Sequence, residues 1–296
     1  MTLARGRLTV PLQPTGGTRV TRFATRGDHR LSYESSGAAH GIPVLALHDL
    51  LADRGQLRAL GEPPHDAMIR VTLPDARGHG ASPMLSGRGY PTRELAADAL
   101  AVLDAEGLER VHLAAIGWGA ATALTLAAPA PERIASLVLA APYLPALLAE
   151  SPDAAPRQIG LDHLEIVREA ANAAEKGQID RALDLFLSAR IGADWRGRFS
   201  KPRLGAIRRA AGNLAPLLAG MANEPVDRDA LKNLDAPVTL LIRDDAQLLE
   251  RGTVDALASH LPRARIETIS PDNERHSDPG AEWTEAVARA LLAAGG

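Results

Sequence analysis

The sequence predicts an α/β fold: a mainly parallel sheet of eight strands, flanked by helices and interrupted by an inserted helical subdomain. Three observations predict it. Short, continuous apolar runs alternate with stretches of helical periodicity over most of the chain. A pair of segments with period-two patterning precedes them, and from 143 to 228 only helical patterns and loops occur.

The first two strands are VTRFAT and RLSYES, an antiparallel hairpin around the turn Gly27-Asp28. PVLALHD, from Pro43 to Asp49, is a continuous apolar run of the kind that parallel strands show when both faces are covered. IRVTLPD, RVHLAAI, IASLVLAAP, PVTLLIRD and ARIETIS repeat that character. Helical patterns lie between them over Thr92–Glu106, with the acidic Glu94 in its first turn, and over Ala120–Ala128, Val254–His260 and Ala281–Leu292. This order implies right-handed crossovers and places function at the carboxyl ends of the strands. The helical stretch, with LDHLEIVREAANAAE, IDRALDLFLSARI and PRLGAIRRAAGNLAPLLAGMA, reads as a lid over those ends. The expected division is therefore a core of residues 1–142 and 229–296 and a lid of residues 143–228.

Composition narrows the function classes. The 33 basic and 36 acidic residues, a net charge of -3, are interspersed, so no global field favours nucleic acid or an anionic membrane. With no cysteine there are no disulfides, thiol nucleophiles or Cys-ligated metals. The first residues lack the apolar core of a secretory signal, and no run is long enough for a membrane span, so a cytoplasmic location is expected. No cofactor or metal is expected. The apolar lid helices suit a small, largely apolar ligand and also a homodimer contact.

Four segments carry a family resemblance: PVLALHD, DARGHGASP at Asp75–Pro83, VHLAAIGWGAA at Val111–Ala121, and PVTLLIRDDA followed by NERHSDP around His276. Together they resemble the α/β-hydrolase superfamily, and the resemblance covers nearly the whole chain outside the lid. In that family a strand runs into the central helix through a sharp elbow, G-x-S-x-G, that presents the nucleophilic serine. Here the elbow reads Ala115-Ile116-Gly117-Trp118-Gly119, so the resemblance puts Gly117 at the nucleophile position. A glycine offers no attacking atom, and covalent acyl transfer requires one.

The remaining positions also depart from the family. The catalytic acid would fall on Ala246, with Asp245 as a substitute if the loop is one residue shorter. His276 matches the catalytic histidine. The H-G of the oxyanion loop is His48-Asp49, a carboxylate where a developing anion needs donors. The backbone N–H of Trp118 survives any side-chain change and is an expected oxyanion or ligand donor, with Leu50 and His48 as further oxyanion or ligand-binding candidates.

Structural alternatives stand beside these. Asp49 is equally suited to cap a helix around Leu51–Leu57 or to orient His276 as a base. His48 and His79 suit hydrogen bonding at a strand end and a turn, while Asp244 and Asp245 suit a solvated turn. Trp118 suits packing, and Arg196, Arg198, Lys201, Arg203, Arg208 and Arg209 suit a solvated lid face. Gly117-Trp118-Gly119 superficially matches a dinucleotide cradle, but the next strand ends in LVLAAP without an acid for a ribose. The leading functional expectation is a degenerate catalytic site that binds a small molecule without hydrolysis. The alternatives are an acid/base enzyme such as a lyase, isomerase, cyclase or cofactor-free oxygenase using His276, and a hydrolase that activates water.

Overall fold

A computed structural model describes residues 20–84, 90–222, 227–270 and 281–295. Strands β1 (Thr21–Arg26) and β2 (His29–Gly37) form the expected hairpin, and β3 (Ile42–Leu47) and β4 (Ile69–Pro74) follow. Then come α1 (Thr92–Ala105), β5 (Val111–Ile116), α2 (Gly119–Ala127) and β6 (Ile134–Ala140). After the lid, β7 (Val238–Arg243), α10 (Leu248–His260), β8 (Ala264–Ile269) and α11 (Ala281–Gly295) complete the core. Between β6 and β7 the chain holds α3 (Pro145–Ala149), α4 (Ala154–Glu175), α5 (Ile179–Ile191), α6 (Trp195–Arg198), α7 (Lys201–Ala210), α8 (Leu214–Ala222) and α9 (Arg228–Lys232). No strand lies between β6 and β7 among the described residues.

The eight strands form one sheet in the order β1-β2-β4-β3-β5-β6-β7-β8. The pairs β1/β2 and β2/β4 are antiparallel and the rest parallel. Every residue of β5 and β7 is buried, as strands covered on both faces require. In β5, Val111, Leu113 and Ala115 pack into one apolar cluster with α1, α2 and α10, while Ala114 and Ile116 pack into another with α11. That alternation is the two-residue pleat expressed as a core on each side of the sheet. A third cluster lies in the lid, where Val167, Phe186 and Leu218 meet Leu50, Trp118 and Tyr143 of the core.

The topology locates the site. After β3 the chain adds β4 on one side, then crosses to β5 on the other, so strand order reverses at the β3/β5 boundary. Open α/β sheets bind ligands in the crevice at such a boundary. The parallel register pairs Leu47 with Ala115, so Asp49 and Gly117, each two residues further on, emerge side by side. Among the described residues no helix is long and apolar enough to cross a membrane.

Candidate functional site

Gly117 makes the turn from β5 into α2 with φ +56°, a left-handed conformation that side chains other than glycine adopt at a cost. Its N–H donates to the Ala140 carbonyl at 3.0 Å and its carbonyl accepts from the Tyr143 N–H at 3.1 Å, which ties the turn to the end of β6. Gly119 admits the close approach of α2 to β3: a Cβ there would lie 2.7 Å from the carbonyl oxygens of Leu47 and His48.

The Asp49 carboxylate fills the space over this turn. Its Oδ1 accepts from the Leu50 N–H at 2.7 Å and from the Trp118 N–H at 2.8 Å. These are the two donors expected to hold a ligand oxygen, and they do converge on one point. A side-chain oxygen of the protein occupies that point. A Cβ on Gly117 would lie 2.3 Å from Asp49 Oδ1 and Cγ, well inside contact distance.

Arg190, from lid helix α5, neutralises the carboxylate. Its Nη1 donates to Oδ1 at 3.2 Å and its Nη2 lies 2.9 Å from Oδ2, a two-pronged pair in which the side chains are 13% and 15% exposed. The guanidinium lies 4.4 Å from the centroid of the Tyr143 ring and 5.6 Å from that of Phe186. Burial opposes the charge on Arg190, but Asp49 more than offsets it and holds the group above its ordinary value. Burial likewise pushes the Tyr143 hydroxyl well above the usual range.

One expectation for Asp49 is corrected here. It does not cap the helix that follows: Asp53 does, accepting from the Gly55 N–H at 2.7 Å at the head of a 3-10 turn over Arg54–Gly61. Its expected pairing with His276 falls on residues outside those described, while Arg190 holds both its oxygens. His276 lies outside the described residues.

His48 is also corrected as a ligand donor. Its Nδ1 donates to the Asp49 carbonyl at 2.8 Å and its Nε2 accepts from the Ala76 N–H at 3.0 Å, so the backbone uses both ring nitrogens. His79 acts similarly. It accepts from the Leu51 N–H at 3.3 Å through Nε2 and bonds the Arg77 carbonyl at 3.2 Å through Nδ1. Burial and the neighbouring His48 push it down to about 3, so it stays neutral and steadies Leu51, whose φ is +61°. The Asp75–Ser82 loop is thus structural. Asp75 accepts from the Arg54 and Ala81 N–H groups at 2.9 and 2.8 Å, and Arg77 grips Asp98 with two bonds of 2.6 Å.

Asp245 faces away from this centre. It is bonded to Arg243 Nε at 2.9 Å, its side chain is 47% exposed, and it does not line the cavity beside Asp49. Asp244 is exposed, as a turn residue would be. Arg203 departs from the solvated lid face to which the sequence assigned it. It turns inward, donating to the Leu51 carbonyl at 2.9 Å.

The cavity between lid and sheet has a volume of about 150 Å³, and Asp49, Tyr143, Arg190, Arg203, Arg243, His163 and Glu250 supply its charged and titratable lining among the described residues. Leu187, Phe199 and Ile116 add apolar surface. Glu250, in the first turn of α10, is pushed up to about 7, chiefly by burial and also by Asp245, against the opposing pull of Arg190 and Arg243. Its Oε1 has no hydrogen-bond partner, and neither has Nδ1 of His163, whose ring burial pushes below its ordinary value.

Arg190 and Glu250 escaped the sequence reading, although each left a signal. Arg190 lies four residues beyond the buried Phe186, hence on the inner face of α5, where a charge needs a partner. Glu250 lies four residues before Val254, on the buried face of a helix that begins six residues earlier than its apolar period suggests.

The family model described as alpha/beta hydrolase fold matches residues 42–188. Among curated relatives, a haloalkane dehalogenase from Mycolicibacterium paratuberculosis is 25% identical over 266 residues, 87% of this chain and 86% of the relative. A proline iminopeptidase from Xylella fastidiosa is 34% identical over 115 residues, 38% of this chain and 36% of the relative. The chain matches between 30% and 43% of the length of the first four curated relatives. Among solved structures, a thermophilic esterase from Thermogutta terrifontis superposes with a TM-score of 0.68 at 24% identity, over 94% of this chain and 97% of the other. With its eight-stranded sheet, strand-to-helix turn and helical insertion, the chain has the α/β-hydrolase fold.

Proposed function

We propose that this chain binds a small molecule beneath its lid and does not hydrolyse it through an acyl-enzyme, Gly117 standing where the superfamily carries its nucleophile. The observation that carries this reading is the Asp49 carboxylate, hydrogen-bonded to the Leu50 and Trp118 amides at 2.7 and 2.8 Å. In acyl transfer those amides hold the oxygen of the tetrahedral intermediate. A fixed negative charge in the same place repels that oxygen and takes its donors. The missing attacking atom at Gly117 and the filled donor pair therefore point the same way. The fold then supplies a covered cavity rather than a hydrolytic centre.

A second reading has its own observation. Glu250, pushed up to about 7 and lining the cavity, can exchange a proton near neutral pH, as a lyase or isomerase without a covalent intermediate requires.

Names such as proline iminopeptidase and haloalkane dehalogenase point to hydrolysis, so turnover of p-nitrophenyl esters and amides is the first activity to measure. The proposal expects rates at the level of buffer, unchanged by His276→Ala. Ester turnover abolished by His276→Ala would defeat it. A proton-transfer activity lost in Glu250→Gln would favour the second reading.

A further inference from the structure

β8 ends the sheet on one side, and among the described residues nothing pairs with its outer edge. Its backbone directions follow from its two ends. The Arg263 carbonyl accepts from the Val238 N–H at 3.2 Å, and the Ile269 carbonyl accepts from the Asp244 N–H at 3.1 Å. Along a strand in a parallel ladder every second residue bonds its neighbour, so Arg263, Arg265, Glu267 and Ile269 serve β7, while Ala264, Ile266 and Thr268 turn their backbone groups outward. Of these, the Ala264 N–H is taken by the Leu261 carbonyl at 3.2 Å. Ile266 is 48% exposed, and Thr268 is exposed as well.

An open edge is a template for another strand unless its side chains forbid the pairing. The side chains of β8 select what they admit. Arg265 and Glu267 share the face that carries α11, where Glu267 bonds Arg289, and Arg265 Nε donates to Thr239 Oγ1 of β7 at 2.9 Å. Related by a two-fold axis, an antiparallel strand meets its own copy with the numbering reversed. Centred on Ile266, that pairing exchanges both outward bonds of Ile266 between the copies and lets the Thr268 N–H donate to the Ala264 carbonyl. It also sets Arg265 of each copy opposite Glu267 of the other. These charges fall at the positions without hydrogen bonds, where facing side chains come closest. Sliding the copy by two residues either way would set Arg265 against Arg265 or Glu267 against Glu267, which like charge opposes.

We propose that β8 is the contact through which two copies of this chain pair, antiparallel about Ile266, so that one sheet continues into the other. The homodimer contact then lies on the sheet edge and not on the lid helices. It stands apart from the ligand reading, which ester turnover tests. A contact of one strand edge buries little surface and holds the copies weakly.

Analytical ultracentrifugation of the whole chain tests the pairing. The wild type sediments as a dimer at about 100 µM and dissociates on dilution. Ile266→Pro removes an outward N–H without touching the ladder to β7, and it leaves a monomer with the circular dichroism of the wild type. Arg265→Glu and Glu267→Arg are each monomeric, because each sets like charges opposite one another. Mixed in equal amounts they form a heterodimer in which every Glu faces an Arg, a gain that misfolding cannot produce. A wild type that stays monomeric at about 100 µM would overturn the proposal. So would a dimer that survives Ile266→Pro, single charge variants that dimerise like the wild type, or a mixture that stays monomeric.

Discussion

The Asp49 carboxylate and Gly117 exclude any larger side chain at the elbow: a Cβ on Gly117 would lie 2.3 Å from Asp49 Oδ1. The two residues are therefore matched. With Asp49 held over the turn, only a glycine fits beneath it, and with a glycine there the carboxylate reaches both amides.

Gly117→Ser tests that match through stability. The new side chain meets the carboxylate in a left-handed backbone, and overpacking and strain each cost about 1–3 kcal/mol. Urea denaturation of the variant is expected to show a loss of about 2–6 kcal/mol on that arithmetic. Asp49→Gly in the same chain removes the clash, so the pair of substitutions costs less than the sum of each alone. A Gly117→Ser protein as stable as the wild type would show that Asp49 does not lie over the turn.

The ion pair between core and lid gives a second prediction. Asp49 and Arg190 are only 15% and 13% exposed, so removing one partner leaves the other charge poorly compensated. Arg190→Met is expected to cost about 3–5 kcal/mol, and Arg190→Met with Asp49→Asn distinctly less than the two single effects added. Simple additivity in that cycle would mean that the two side chains do not interact.

Glu250 predicts a pH dependence whose sign follows from its raised value. Between its ordinary value of 4.5 and about 7 the native protein holds a proton that the unfolded chain releases. Stability from this group is therefore full below that window and is lost as pH rises through it. Glu250→Gln removes the titration and is expected to stabilise the protein at pH 8 relative to pH 5, by about 1–3 kcal/mol. Parallel stability profiles for variant and wild type across that range would show an ordinary Glu250.

Much of the fold was legible because apolar runs such as VHLAAI and VTLLIR have no other way to be buried along their whole length than as central strands. The helical stretch between β6 and β7 was legible from the absence of such runs there. The placement of Gly117 followed from the same reading, since the apolar strand and the helix after it fix the turn between them. Leu50 and Trp118 were named as ligand-binding candidates, and their amides meet at the Asp49 carboxylate.

What occupies their meeting point was not legible. Asp49 and Arg190 are separated by 141 residues, and their pairing depends on how α5 is laid across the strand ends, which no local pattern encodes. The same holds for Arg203, whose segment reads as a charged surface until α7 is seen to turn that side chain toward Leu51. Glu250 was missed for a local reason. The apolar period starts at Val254, whereas the helix starts at Leu248 behind Gln247.

The filled donor pair is tested most directly at the amides themselves. Hydrogen exchange and ¹H shifts of Leu50 and Trp118, measured by NMR on the wild type and on Asp49→Ala, read their hydrogen bonds. Both amides are expected to be protected and shifted downfield in the wild type and to lose both features together in the variant. Two amides that exchange freely in the wild type, or that ignore the loss of Asp49, would contradict the account.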